Sequence, residues 1–205
     1  MSIRRLIAWV MLAAVLSVAG VARAGVNDAA IFINQLGIQA IKTLRATDLT
    51  LDQREAKFRS LLSRGFDLHF MGRFVLGRYW RAATADQKSD YLTLYGEYLL
   101  QTYTARLGGY TDDSFTVTGA RQASEKDIVV STRLVRPSGM EIAADWRVRV
   151  FDGKFRIIDV MVEGISMAVT QRSEFAAVVR RDGIEGLLAI LRARTTKFSA
   201  TAAIN

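Results

Sequence analysis

The chain changes its apolar period twice. From residue 28 to about residue 107, apolar side chains return every three or four positions, the spacing that gathers them on one face of a helix. Ile31, Phe32, Leu36, Ile41 and Leu44 follow it across residues 28–46. Thr50-Leu-Asp-Gln53 then reads as a capping box, in which the threonine and glutamine side chains each take an unpaired N–H at a helix start. Phe58, Leu61 and Leu62 continue on one face. After Gly65, Phe66-Asp-Leu-His-Phe-Met-Gly72 predicts a short helix or turn. A second capping box, Thr84-Ala-Asp-Gln87, opens the longest predicted helix, with a stripe of Tyr91, Leu92, Tyr95, Tyr98, Leu99 and Tyr103. Gly108-Gly109 supplies its stop.

From Phe115 to Val162 the period falls to two. Ile128, Val130, Thr132 and Leu134 alternate, as do Ile142, Ala144, Trp146, Val148 and Val150. Pro137-Ser-Gly139 marks one turn, and Asp152-Gly153 predicts a tight hairpin into Phe155–Val162. Four strands joined by short turns predict an antiparallel meander with helices over one face. Arg147, Arg149 and Arg133 then line the other, partly wet face. Helical spacing resumes at Phe175, Val178 and Val179, and Asp182-Gly-Ile-Glu185 caps a last helix through Leu187, Leu188 and Leu191. The expected fold is α+β, a four-stranded antiparallel curved sheet packed against several helices.

The first 24 residues belong to a different pattern. Arg4 and Arg5 precede an apolar run from Leu6 to Ala19, and Ala22-Arg23-Ala24 has the small-x-small form of a cleavage site. That layout predicts a secretory signal peptide, residues 1–24. The run is shorter than the roughly 20 residues a spanning helix needs. The remaining chain reads as one domain, residues 25–197, with a tail at 198–205 expected to fray. Losing Arg4, Arg5 and Arg23 would leave 25 basic and 20 acidic residues, a net charge of +5 in place of +8. Such a surplus suits an anionic membrane surface or an acidic partner. No dense Lys/Arg block points to nucleic acid.

The inventory of reactive groups is short. The chain has no cysteine, so disulfides, thiol nucleophiles and thiolate metal sites are excluded. His69 is its one imidazole, set among apolar residues with no second ligand at metal spacing. Gly164-Ile-Ser166 is not a nucleophile elbow, and no glycine pattern forms a phosphate-binding loop. No cofactor or metal is expected. Asp145 and Asp159 lie inside apolar strands, where a carboxylate can serve as an acid or base. Each also has arginine or lysine within reach: Arg147 or Arg172 for Asp145, Arg156 or Lys154 for Asp159. In the run ending Val162-Glu-Gly-Ile-Ser166, Glu163 reads as a helix cap or a partner of Arg172 at a strand-to-helix corner, with the rim of an apolar cavity as the functional alternative.

Two stretches together resemble one family. Phe74-Val-Leu-Gly-Arg-Tyr-Trp80, followed by the Thr-x-x-Gln helix, is similar to the first signature of the MlaC family, the toluene-tolerance or ABC-transporter auxiliary proteins. Asp145-Trp-Arg147, Asp152-Gly-Lys-Phe155, Asp159–Ser166, Arg172-Ser-Glu-Phe175 and Gly183–Leu187 resemble the second. The likeness covers nearly all of residues 28–195. It departs at Trp146, where tyrosine is expected, at Phe155, where tryptophan is common, and at Met161 and Met167, where branched residues are usual.

The resemblance implies that the fold encloses an apolar cavity and that the protein is a periplasmic phospholipid carrier. Its implied partners are an outer-membrane lipoprotein complex and the lipid-binding subunit of an inner-membrane ABC transporter. The resemblance also leaves open a hopanoid-related cargo, since relatives in hopanoid-making bacteria sit beside the genes for those lipids. Phe74, Leu76, Tyr98, Leu99, Trp146, Val148, Ile157, Met161 and Ile165 are the candidate cavity residues, each equally at home in a plain core. Arg147, Arg149 and Arg172 are candidates for meeting a phosphate or an acidic partner. Two other readings stay open: a cavity enzyme using Asp145 or Asp159, and a periplasmic interaction protein that binds no lipid.

Overall fold

The structure, a computed structural model, describes residues 25–104 and 114–202. The expected signal peptide and the Gly108-Gly109 stop lie outside them. Helix α1 covers residues 25–45, followed by α2 (Leu51–Gly65), α3 (Leu68–Leu76), the single turn α4 (Tyr79–Ala82) and α5 (Ala85–Thr104). Strands β1 (Ser114–Gln122), β2 (Asp127–Val135), β3 (Glu141–Phe151), β4 (Lys154–Val162) and β5 (Ile165–Ser166) come next, and α6 (Met167–Ala202) closes the fold. Helix α6 is bent where Gly183 leaves helical geometry at φ 72°.

Both predicted capping boxes are made. Gln53 N donates to Thr50 Oγ1 at 3.3 Å while Thr50 N donates to Gln53 Oε1 at 3.0 Å. The Thr84 and Gln87 pair repeats this at 3.2 and 3.0 Å. Asp67 caps α3 by accepting from Phe70 N at 2.7 Å. The Asp182-Gly-Ile-Glu185 segment behaves otherwise, since the Asp182 carboxylate is gripped by Arg181 at 2.7 Å.

The sheet runs in order β1-β2-β3-β4-β5 with every neighbour antiparallel. It therefore has five strands, not four. The predicted hairpin at Asp152-Gly153 is present, both residues at positive φ (48° and 73°), and Glu163-Gly164 repeats it at 49° and 77°. Two consecutive left-handed residues make the tight turn whose twist matches a hairpin. Ile165-Ser166 is thereby folded back onto Met161-Val162. Glu163 neither caps a helix nor meets Arg172. Its carboxylate accepts from Ala143 N at 2.8 Å and its own N–H donates to Ala143 O at 3.1 Å, stitching the turn to β3.

One irregularity controls which side chains face inward. The β3–β4 register slips so that Arg147 opposes Asp159 and Val148 opposes Ile157, leaving Ile158 as the extra residue of a bulge. Phe155 and Ile157 face the core before the bulge, Val160 and Val162 after it.

Asp159, buried past the bulge, accepts from Ser166 Oγ at 2.6 Å and from Ala168 N at 3.1 Å. Ser166 Oγ in turn accepts from Val169 N at 3.1 Å. This chain fixes the start of α6 against β4, so Asp159 is held by a hydroxyl and a helix N–H rather than by Arg156 or Lys154. Asp145, paired across the strands with Ser131 and Met161, makes no ion pair with Arg147 or Arg172. The arginine of that pair goes to Asp127, which Arg149 holds at 2.7 Å and Arg147 at 3.8 Å.

Away from the sheet, α3, α5 and α6 share a tyrosine core. Tyr91 and Tyr95, fully buried, stack at 5.6 Å, and both meet the Phe175 ring in T-shaped contacts at 6.4 and 6.2 Å. Their hydroxyls are not left bare: Tyr91 donates to Gly72 O at 3.0 Å, and Tyr95 Oη lies 3.1 Å from Gln171 Oε1. Burial pushes the Tyr91 phenol far above its ordinary range, keeping it a neutral donor.

Asp159→Ala removes the acceptor for a buried N–H and for Ser166 together, which costs about 1–3 kcal/mol. Asp145→Ala, with no such partners, stays within about 0.5 kcal/mol of wild type. Urea unfolding followed by circular dichroism separates the two, and equal midpoints would refute this assignment.

Candidate functional site

A cavity of about 610 Å³ opens between α1, α2 and the inner face of the sheet. Helix α1 presents Ile33, Leu36, Gly37, Ala40, Ile41 and Leu44 to it, positions that return every three to four residues and so share one face. Phe58, Leu61 and Leu62 come from α2, with Phe66 just beyond its end. The floor is Phe115 of β1, Thr132 and Leu134 of β2, Ile142, Ala144 and Trp146 of β3, and Val160 and Val162 of β4.

The middle of the α1 stripe is small, and close approach requires it to be. A Cβ on Gly37 would stand 2.3 Å from the Phe115 ring, well inside van der Waals contact, so glycine lets the ring lie against the helix. Ala40 follows one turn later. The stripe is thus apolar along its length, with the Phe115 ring packed where Gly37 carries no side chain.

The wall offers few polar atoms, and they satisfy one another. Trp146 Nε1 donates to Thr132 Oγ1 at 2.8 Å, and Thr132 Oγ1 donates to Ala144 O at 3.0 Å. The indole and the hydroxyl therefore present an apolar surface to the cavity. Arg136, just past β2, is the charged residue of the lining and marks the β2–β3 turn end. A space of this volume lies within the roughly 300–1,000 Å³ of small-molecule sites, and its chemistry suits a ligand that is almost wholly hydrocarbon.

Of the nine candidate cavity residues, Trp146 lines this space. Leu76, Leu99, Val148 and Ile157 are buried in the core nearby. Tyr98 packs on Phe175 at 6.1 Å. Met161 lies on the opposite face of β4, because the bulge at Ile158 shifts the inward phase to Val160 and Val162. Ile165, on the edge strand, and Phe74, on α3, are exposed. Arg147 and Arg149 are tied to Asp127 on the outer face, and Arg172 stacks over the Phe74 ring at 5.0 Å. The sequence reading gives the α1 and α2 stripes as helix faces and Phe115 as the first strand residue without assigning any of them to the cavity, although the spacing of small and apolar residues from Ile33 to Leu44 carries the signal.

Neither Asp145 nor Asp159 lines the cavity. His69 is exposed on α3, its ring edge-on to Trp80 at 6.2 Å. Among the described residues no group of three or more His, Asp or Glu is placed to hold a metal ion, and no helix is long and apolar enough to cross a membrane.

A curved antiparallel sheet with helices packed across one face and an apolar cavity between them defines a small α+β domain. The sequence profile of the MlaC protein family matches residues 34–193, and the chain belongs to that family. It is 20% identical over 126 residues to the intermembrane phospholipid transport system binding protein MlaC of Haemophilus influenzae. That match covers 60% of this chain and 59% of the relative, so the chain aligns with about three fifths of that protein's length. The fold is also that of a phospholipid-binding protein from Ralstonia solanacearum solved in complex with a phospholipid. The two superpose with a TM-score of 0.72 at 21% identity, covering 83% of this chain and 98% of that one.

Filling the cavity from its floor tests its reality. Ala144→Trp should lower the binding of a neutral apolar probe, N-phenyl-1-naphthylamine, at least tenfold, while Ala189→Trp on the exposed side of α6 leaves it unchanged. Equal probe binding by both variants would show that the space is not the apolar site.

Proposed function

We propose that this protein is a periplasmic phospholipid carrier that shields acyl chains in the cavity between α1, α2 and the sheet. The observation that carries the reading is an apolar cavity of about 610 Å³ in which the Trp146 indole and the Thr132 hydroxyl are already hydrogen-bonded. Membership of the MlaC family supports it, as do the phospholipid transport system to which the Haemophilus relative belongs and the phospholipid held by the Ralstonia protein.

The energetics favour such a carrier. A phospholipid brings on the order of 30 methylene groups, each worth about 0.8 kcal/mol on leaving water. Release into solvent is therefore prohibitive, whereas an apolar wall resembles the bilayer interior and makes exchange between the two nearly neutral. Transfer then proceeds by docking and handoff, with no covalent step. In this reading Trp146 touches the acyl chains. Arg136, the charged residue of the cavity lining at the β2–β3 turn end, meets the headgroup phosphate. The partners are an outer-membrane lipoprotein complex on one side and the lipid-binding subunit of an inner-membrane ABC transporter on the other.

The three tryptophans allow a direct test. A phospholipid brominated on its acyl chains quenches indole emission on contact, so it should quench Trp146 and spare Trp80, which lies outside the cavity. Trp80→Phe should retain the quenching and Trp146→Phe should lose it. Unquenched Trp146 emission in the presence of saturating brominated lipid would overturn the proposal.

A further inference from the structure

A second hollow lies away from the cavity, between α3–α4 and the first half of α6. Phe74, Val169, Arg172, Ser173, Ala176 and Arg180 line it, and none of these lines the cavity. Its composition is unusual in two respects.

The first is uncompensated positive charge. Arg172 lies over Gly77 and over the Phe74 ring. Arg78, next in sequence to Gly77, donates to the Tyr79 hydroxyl at 2.9 Å. That hydrogen bond, with the positive charge of Arg78 and then of Arg180, pulls the Tyr79 phenol below its ordinary range. Three guanidinium groups thus converge on residues 77–79. Among the described residues none of the three has a carboxylate at ion-pair distance, whereas neighbouring Arg181 is neutralised by Asp182 at 2.7 Å. Glu174, on the same helix, is not part of the lining.

The second is exposed apolar surface on the same face. Phe74 is 37% exposed and Val169 52%. Arginine forks match phosphate oxygens, and apolar side chains beside them gain by entering the acyl boundary of a bilayer. A solvated surface would gain from neither, and an acidic protein surface would use the charge but leave the apolar side chains unrewarded.

We infer that the α3–α4–α6 face is a membrane-docking surface, on which Arg78, Arg172 and Arg180 take the phosphates of anionic phospholipids while Phe74 and Val169 enter the interface. This surface acts whether or not the cavity holds lipid, so it goes beyond the carrier reading. It gives the protein a way to sit on a bilayer with its cavity walls uninvolved.

Flotation of the purified protein with vesicles tests it. Vesicles of phosphatidylglycerol and phosphatidylcholine should carry the protein upward at low salt and release it as salt rises, and vesicles of phosphatidylcholine alone should not. Each arginine near an anionic surface contributes about a fivefold gain in binding, so Arg172→Gln with Arg180→Gln should bind about 30-fold more weakly. Phe74→Ser with Val169→Ser should also lose binding. Arg121→Gln with Lys126→Gln, at the β1–β2 turn, should bind as wild type. Thermal melts and brominated-lipid quenching of Trp146 show that each variant is folded with a working cavity, which keeps failure of this surface distinct from failure of the carrier. Absence of flotation with anionic vesicles, or full binding by the arginine variant, overturns the inference. An acidic protein partner would then be left as what the arginines serve.

Discussion

Two apolar faces that are kept apart dominate this structure. Helices α1 and α2 and the inner face of the sheet each carry the stripe that would normally weld them into a core. The Phe115 ring fills the space beside Gly37, while Ala40 and Ala144 contribute only small side chains to the lining. An apolar surface of this extent is costly to leave against water, and in the proposed reading an apolar occupant covers it.

The remainder of the molecule serves to hold the chamber open. Tyr91, Tyr95 and Phe175 lock α3, α5 and α6 into a block with its hydroxyls hydrogen-bonded. Asp159 fastens that block to the sheet through Ser166 and the start of α6. The bulge at Ile158 then turns β4 so that Ile157 packs in the core while Val160 and Val162 line the chamber. One strand thus serves both the packed half and the hollow half. The Thr132–Trp146 pair removes the polar atoms that would otherwise draw water in.

Much of this is legible in the sequence where a local rule acts alone. The capping pairs Thr50–Gln53 and Thr84–Gln87 and the Asp152-Gly153 hairpin are short-range chemistry, and each appears as expected. The family is legible from the order and spacing of several motifs together. Strand β5 is not, since two residues cannot display a period. Asp159 misleads for a related reason: a carboxylate in an apolar strand looks either catalytic or paired with a cation, and its hydroxyl and N–H partners become neighbours only once β5 folds back. The cavity is the hardest feature to read. A wall and a core have the same apolar residues: Trp146 lines the cavity while Val148, two residues on in the same strand, is packed in the core. Continuing the alternation from Ile157 puts Met161 in the wall, and the bulge interrupts that alternation.

The central claim is that the chamber is occupied by lipid in the native protein. Native mass spectrometry of the protein recovered from the periplasm, with solvent extraction and identification of whatever it carries, tests this most directly. The account predicts a near-stoichiometric adduct in the phospholipid mass range that disappears in Ala144→Trp. A bare polypeptide at its sequence mass, unable to acquire lipid from liposomes, would contradict it.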